Sequence, residues 1–292
     1  MLQNGFEALS LCHRDAYLSF PVTSPNSKFS FAQGFMWQEQ YGTEICLRDN
    51  YLLFRARPDG SPCFVSPILR SDADIVPAME EMLALCPDFC MRYVCPEIKV
   101  AIEKYFPGRF LFIPDRDNSE YVYSTQSLIT LAGKKLHQKR NHINAFERQH
   151  DYSFVPYEPR YFRQCMLLQQ KWLDGSPSGD AAESAAIEKA LLNYDALQLR
   201  AGVILQSGEV TAFSIGEKTG SNCAVILIEK ALPEYNGLFQ VINRDTVRHL
   251  FADTEYINRC EDMGIEGMRK AKLSYQPCLM VDKYTCVPAK QR

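Results

Sequence analysis

NCAVILIEKALPEYNGLFQVINRDTVRHLF, residues 222–251, sets a long apolar strand before a helix, with one glycine between them. Residues 222–232 form the apolar run, and PEYNG (233–237) supplies the turn. From Leu238 the spacing changes, and Phe239, Ile242 and Leu250 recur at helical intervals. The free N–H groups at such a helix start, with the positive end of its dipole, form a ready seat for phosphate, and Gly237 would let the backbone approach it. The same glycine reads equally well as an ordinary strand-to-helix turn.

Working outward, LRAGVILQSGEV (199–210) and TAFSIGEKTG (211–220) read as hairpin strands. Before them come a strand in DYSFVPYE (151–158), a helix over Pro159–Trp172, the loop DGSPSGD (174–180) and an alanine-rich helix over Ala181–Asn193. After residue 251 follow a strand EYINRCED (255–262), a short helix GIEGMRKAKLSY (264–275) and a last strand PCLMVDKYTCV (277–287). The order β-α-α-β-β-β-α-β-α-β is a mixed plan, neither doubly wound nor a run of hairpins.

The first half repeats a shorter version. Strands EICLRD, YLLFRAR and CFVSPIL precede a helix over Asp72–Leu85, then strand FCMRYVC, helix PEIKVAIEKYF, and strands FLFIP and YVYS. This reads as an internal duplication of topology. The expected fold class is therefore α/β (α+β), two tandem domains each with a mixed sheet flanked by helices. The expected boundaries are 1–125, a basic linker helix within 126–150, and 151–292. TQSLITLAG leads into that helix, which covers roughly residues 134–149.

That order of elements resembles the GNAT superfamily, in which three antiparallel strands precede a helix whose N-terminus binds a cofactor pyrophosphate. LAGKKLHQKRNHINAFER, FSIGEK, IEKA, YNGLFQVINRD and YINRCEDMGIEGMRKAKLSYQP more specifically resemble soluble bacterial relatives of the phosphatidylglycerol lysyltransferase C-terminal domain. The first half matches only through Phe31, Trp37, Tyr121 and Tyr123. The resemblance implies transfer of an acyl or aminoacyl group from an aminoacyl-tRNA or acyl-coenzyme A donor, neither held tightly. The acceptor would be an amine or hydroxyl on a small molecule, peptide or lipid headgroup. Asn236, Gly237 and Leu238, with Glu229 and Lys230 at the strand end, would bind the donor. The glycine-rich Arg/Gln-x-x-Gly-x-Gly/Ala signature of acetyl-coenzyme A binders is missing, which suits an aminoacyl-tRNA donor. No counterpart of the membrane-spanning region of the lysyltransferases is expected among these residues. The first half lacks a counterpart of PEYNG, since its third strand runs through SPILRSDAD, and is expected to be a scaffold.

Composition bounds these expectations. With 292 residues and 46% hydrophobic content, the chain can bury cores for two domains of roughly 150 residues each. There is no apolar run of about 18 residues, and MLQNGFEALSLCHRDAY lacks the basic start of a signal peptide, so a cytoplasmic address is expected. The eleven cysteines are scattered through apolar segments and are read as reduced. Cys86, Cys90 and Cys95 fit neither zinc nor iron–sulfur spacing, with Pro87 between them, and no metal site is expected. A net charge of -3 argues against indiscriminate nucleic-acid binding but leaves room for a basic patch.

Candidate chemistry concentrates near the C-terminus. On a helical wheel Lys272 falls within about 20° of Ile265 and Arg269 about 40° from it, so both cations point along the apolar face. They need either an internal salt bridge to Glu261 or Asp262, or a cleft in which Lys272 polarises the reacting carbonyl. Strand alternation in EYINRCED places Asn258, Cys260 and Asp262 on one face and Arg259 and Glu261 on the other. Glu261 or Asp262 would be the general base, and Tyr275 a candidate acid. In the linker helix, Leu136, Ile143 and Phe146 oppose Lys134, Gln138, Asn141 and Arg148. Lys135, Lys139, Arg140 and His142 add to its basic character, with Lys139 and Arg140 expected to reach toward the groove between the halves. That helix is either a solvated face or a contact for tRNA phosphates. A non-catalytic tRNA- or nucleotide-binding module would carry the same features.

Overall fold

In the computed structural model, which describes residues 5–86, 89–175 and 181–289, long-range strand pairing separates two units. The first comprises Met1–Glu120, Glu261–Ile265 and Met280–Arg292, and the second Tyr121–Cys260 and Glu266–Leu279. Pro87 and most of the DGSPSGD loop lie outside the described residues.

In the first unit, apolar alternation in the strands and helical periodicity in the segments between them meet at one core. Its sheet runs Glu7–Ala8, Glu44–Leu47, Tyr51–Ala56, Cys63–Leu69, Met91–Val94, Tyr284–Pro288, Phe110–Pro114. The helix Ile75–Leu85 buries Ile75, Ala78, Met79 and Met82, and the helix Pro96–Tyr105, opened by proline at its first turn, buries Ile98, Ala101 and Ile102. These pack with Leu53, Phe64 and Met91. The one parallel pair in this sheet, Cys63–Leu69 with Met91–Val94, is in register only at Phe64 with Met91 and Val65 with Arg92. Beside it, the pairing of Tyr284–Pro288 with Met91–Val94 shifts register, and Tyr93 sits at φ 56°. That is a strained bulge, of the kind that re-aims a side chain.

The second sheet orders Glu120–Ser124, Tyr256–Asn258, Cys223–Ala231, Glu209–Thr219, Arg200–Gln206 and Ser153–Pro156, with Leu279–Val281 at the edge. Ser207 and Gly208, both at positive φ, make the hairpin turn between Arg200–Gln206 and Glu209–Thr219. The helix Leu238–Leu250 is the crossover between the parallel strands Cys223–Ala231 and Tyr256–Asn258. No helix among the described residues is long and apolar enough to cross a membrane.

Two strands depart from the linear reading. YVYS, expected to close the first half, pairs in the second sheet, and the chain end at Tyr284–Pro288 pairs in the first. A strand's partners are set by hydrogen bonding across large sequence separations, which local periodicity does not encode.

Candidate functional site

The parallel pairing of Cys223–Ala231 with Tyr256–Asn258 covers Cys223–Val225. Beyond these three pairs the expected strand EYINRCED stops. Asn258 Oδ1 accepts the Cys260 N–H at 2.7 Å and Asp262 Oδ1 accepts the Gly264 N–H at 2.9 Å, while Cys260 and Met263 take positive φ. Two successive side-chain turns thus bend the chain away, and the alternation expected through Glu261 does not exist.

Arg259, the first residue past the paired segment, meets Glu229 near the end of the neighbouring strand. Its Nη2 donates to Glu229 Oε1 at 2.9 Å, and Asn243 Nδ2 donates to Oε2 at 2.9 Å. The Arg259 guanidinium lies 4.9 Å from the Tyr275 ring centre and 5.8 Å from that of Tyr123. Lys139, from the linker helix His137–Gln149, places Nζ 4.3 Å from the Tyr275 ring centre. Lys272 Nζ donates to the Arg259 carbonyl at 2.6 Å, and the Tyr123 hydroxyl donates to the Lys272 carbonyl at 2.8 Å.

The electrostatics are unbalanced. Burial disfavours the charge on Arg259, but Glu229 more than offsets this and raises its pKa. Lys139 is pushed the other way, its pKa lowered by burial and then by Arg259. Among the described residues no carboxylate is hydrogen-bonded to Lys139. Burial raises the Tyr123 and Tyr275 phenols, which stay protonated at neutral pH. The polar valence is also unfilled. Arg259 Nη1, Asn243 Oδ1 and Ser214 Oγ are buried without a partner, and Ser214 is the cross-strand neighbour of Glu229.

The expected site residues divide. Lys272, Arg259, Tyr275 and Lys139 come together, joined by Glu229, which was expected to hold the donor. Glu261 and Asp262 belong to the first unit. Asp262 is fully buried, takes an ion pair from Arg116 at 3.2 Å and closes its own turn. The helix Glu266–Leu273 buries no residue, and Ile265 and Leu273 are exposed, so the inward apolar face expected for it is absent. Arg269 is half-buried.

Gly237 does precede a helix, at φ 97°. A Cβ there would lie 2.4 Å from the His142 carbonyl oxygen. On the side where a Cβ would point, the close approach is by the linker helix. Leu238 is fully buried, and Asn236 is exposed. Lys230 is bonded to Glu183 at 2.7 Å. Arg140 turns back onto the carbonyls of Leu131 and Gly133. Lys134 and Lys135 are exposed, as are Gln138, Asn141 and Arg148 along the helix.

Sequence reasoning missed Asn243, Ser214 and Tyr123 as site residues, and it missed the clamp on the linker helix. Arg244, buried, donates to Asp245 at 2.7 Å and Tyr152 at 2.9 Å and pairs with Glu147 at 2.9 Å. The run Asn243-Arg244-Asp245-Thr246, buried within an otherwise apolar helix face, was the available signal.

A phosphatidylglycerol lysyltransferase C-terminal family model matches residues 21–287. The chain belongs to that family. A protein of unknown function from Bacteroides thetaiotaomicron is 31% identical, with 97% of this chain and 99% of that one covered and a TM-score of 0.90. L-PGS from Bacillus licheniformis is 14% identical over 98% and 94% of the two chains, TM-score 0.72, and shares the fold. An uncharacterized protein of Mycoplasmoides gallisepticum is 27% identical over 173 residues, 57% of this chain, and the match spans 55% of that relative's length. The fold of this family member is α/β, two seven-stranded sheets flanked by helices.

Proposed function

We propose that the second unit is an aminoacyl-transfer site that takes its group from an aminoacyl-tRNA and passes it to an amine or hydroxyl acceptor. The observation that carries this reading is the half-buried Lys139 ammonium, without a bonded carboxylate, beside an Arg259–Glu229 pair in which Arg259 Nη1 has no partner. Arg259 Nη1 and Lys139 Nζ are the donors for the carbonyl oxygen that becomes an oxyanion as the acceptor attacks. Glu229, oriented by Asn243, takes the proton from the acceptor nucleophile. The new bond joins the acceptor nitrogen or oxygen to the acyl carbon. The ester bond to the tRNA ribose breaks, and its oxygen leaves with a proton.

An acyl-coenzyme A donor is the less favoured alternative, because Gly237 is already closely approached by the His142 carbonyl of the linker helix on the side where a Cβ would point. The exposed Lys134, Lys135 and Arg148 suit tRNA phosphates, with binding that weakens steeply as salt rises. The test is transfer from a panel of charged tRNAs and of acyl-coenzyme A thioesters, in the wild type and in Lys139→Met. Transfer from tRNA alone, reduced roughly 100- to 1,000-fold in the variant, supports the proposal. Salt-sensitive tRNA binding without transfer would instead establish a binding module.

A further inference from the structure

Phe110–Pro114 is the outermost strand of the first sheet and pairs on one side, with Tyr284–Pro288, in regular register along its whole length. The Asp115 N–H donates to the Lys283 carbonyl and the Ala289 N–H to the Arg109 carbonyl, so the polar groups of the odd-numbered residues face that neighbour. Those of Phe110, Phe112 and Pro114 face outward, and among the described residues no strand pairs with them. The side chains alternate too. Phe110 and Phe112 turn to the core, Phe110 against Phe106 at 6.0 Å and Phe112 edge-on to Tyr284 at 6.4 Å. Leu111 and Ile113 turn to the other face, where they are 55% and 54% exposed, with half-buried Val287 and Thr285 beside them.

An apolar edge of this kind, with no bulge and no charge within the strand, is a template for another strand. The stretch RFLFIPD, residues 109–115, is complementary to itself about Phe112. Two copies laid antiparallel, Phe112 opposite Phe112, bring Leu111 against Ile113 and Arg109 against Asp115, each pair occurring twice by symmetry. The outward backbone groups fit the same register. The two Phe112 residues exchange N–H to carbonyl bonds, and each Phe110 N–H meets a Pro114 carbonyl, which leaves the Phe110 carbonyls at the two ends to water because proline has no N–H. Leu111 and Ile113 then form a pair without mutual hydrogen bonds, in which side chains approach most closely. Centring the pair on Leu111 would set Ile113 against Arg109, and centring it on Ile113 would set Leu111 against Asp115, so the register is specified. Both charged groups are available for it. Arg109 is exposed, its guanidinium 5.3 Å from the Phe106 ring centre, and Asp115 accepts from the Asn118 amide at 2.9 Å; neither makes an ion pair among the described residues. The opposite edge of the sheet, Glu7–Ala8, is too short to continue the pairing, so the contact closes on a two-fold axis instead of growing into a fibre.

We propose that the first unit forms a two-fold homodimer by antiparallel pairing of Phe110–Pro114 with the same strand of a second copy, which joins the two sheets into one. The pairing is independent of transfer in the second unit. Sedimentation velocity of the full chain from micromolar concentrations upward tests it, and the mass should move from one chain to two. Arg109→Glu and Asp115→Lys each set like charges opposite one another twice, and each alone should weaken self-association about tenfold. Mixed in equal amounts, the two variants regain both opposite-charge pairs, and association should return to the wild-type level. If Asp115→Lys fails to fold, Leu111→Glu mixed with Ile113→Lys takes its place, because those two exposed positions also face each other across the axis. The proposal is overturned if the wild type sediments as one chain throughout, which would assign the edge to a foreign strand. It is equally overturned if the single variants dimerise as the wild type does, or if the deciding mixture associates no better than its components.

Discussion

Replacing Gly237 by alanine tests whether the helix start at residue 238 is a packed joint or an open anion seat. Two costs add. A non-glycine residue held at φ 97° costs about 1–3 kcal/mol. The new methyl, 2.4 Å from the His142 oxygen and 3.1 Å from Phe146 Cβ, forces the linker helix to shift, for about 1–3 kcal/mol more. Gly208→Ala is the internal control, because Gly208 lies in the same unit at φ 85° and an added methyl would have nothing within 4 Å of it, so it reports the conformational cost alone. At about 2–4 °C per kcal/mol, a steric part near 2 kcal/mol should make Gly237→Ala melt roughly 4–8 °C below Gly208→Ala. The assay is a pair of thermal melts followed by circular dichroism. Equal melting of the two variants would refute the packed joint and reopen Gly237 to a phosphate.

Three further outcomes are expected. Because Lys139 has a folded pKa below its ordinary 10.5, the unfolded chain binds more protons between the two values, and stability should rise with pH across that window. Lys139→Met should lose that slope in pH-dependent melts, and an unchanged slope would place the lysine in water. The Glu97 carboxyl, which burial would raise, is held at about 2 by the Lys28 ammonium, so its stabilisation is present above 4.5 and lost as pH falls toward 2. Carbon-13 NMR titration should find this carboxyl well below the usual range in the wild type and moved upward in Lys28→Met. Asp262→Asn should cost about 1–3 kcal/mol of stability and leave transfer intact; lost transfer with an unshifted melt would return Asp262 to the catalytic set.

Much of the molecule was legible because it is written in local periodicity. Phe239 and Ile242 mark the crossover helix, and Ile143 and Phe146 mark the buried face of the linker helix, since side chains three and four apart on a helix share one surface. Lys139 was legible as an inward-pointing cation for the same reason. The surroundings of Asp262 were not legible because the expected strand was extended across Asn258 and Asp262, whose side chains instead close turns onto their own backbone. At Gly237 the sequence left two readings open, because a glycine is equally compatible with close approach by a ligand or by another helix.

The sequence alone determined the succession of strands and helices along most of the chain, which depends on residues within a few turns of one another. Only the tertiary structure decided that Glu229 rather than Glu261 faces Arg259. It alone sent Tyr284–Pro288 to the first sheet and left Phe110–Pro114 as the open edge of that sheet. Each of those depends on which distant backbone groups pair and where parallel pairing ends, and hydrogen bonding between remote strands leaves no periodic trace along the chain.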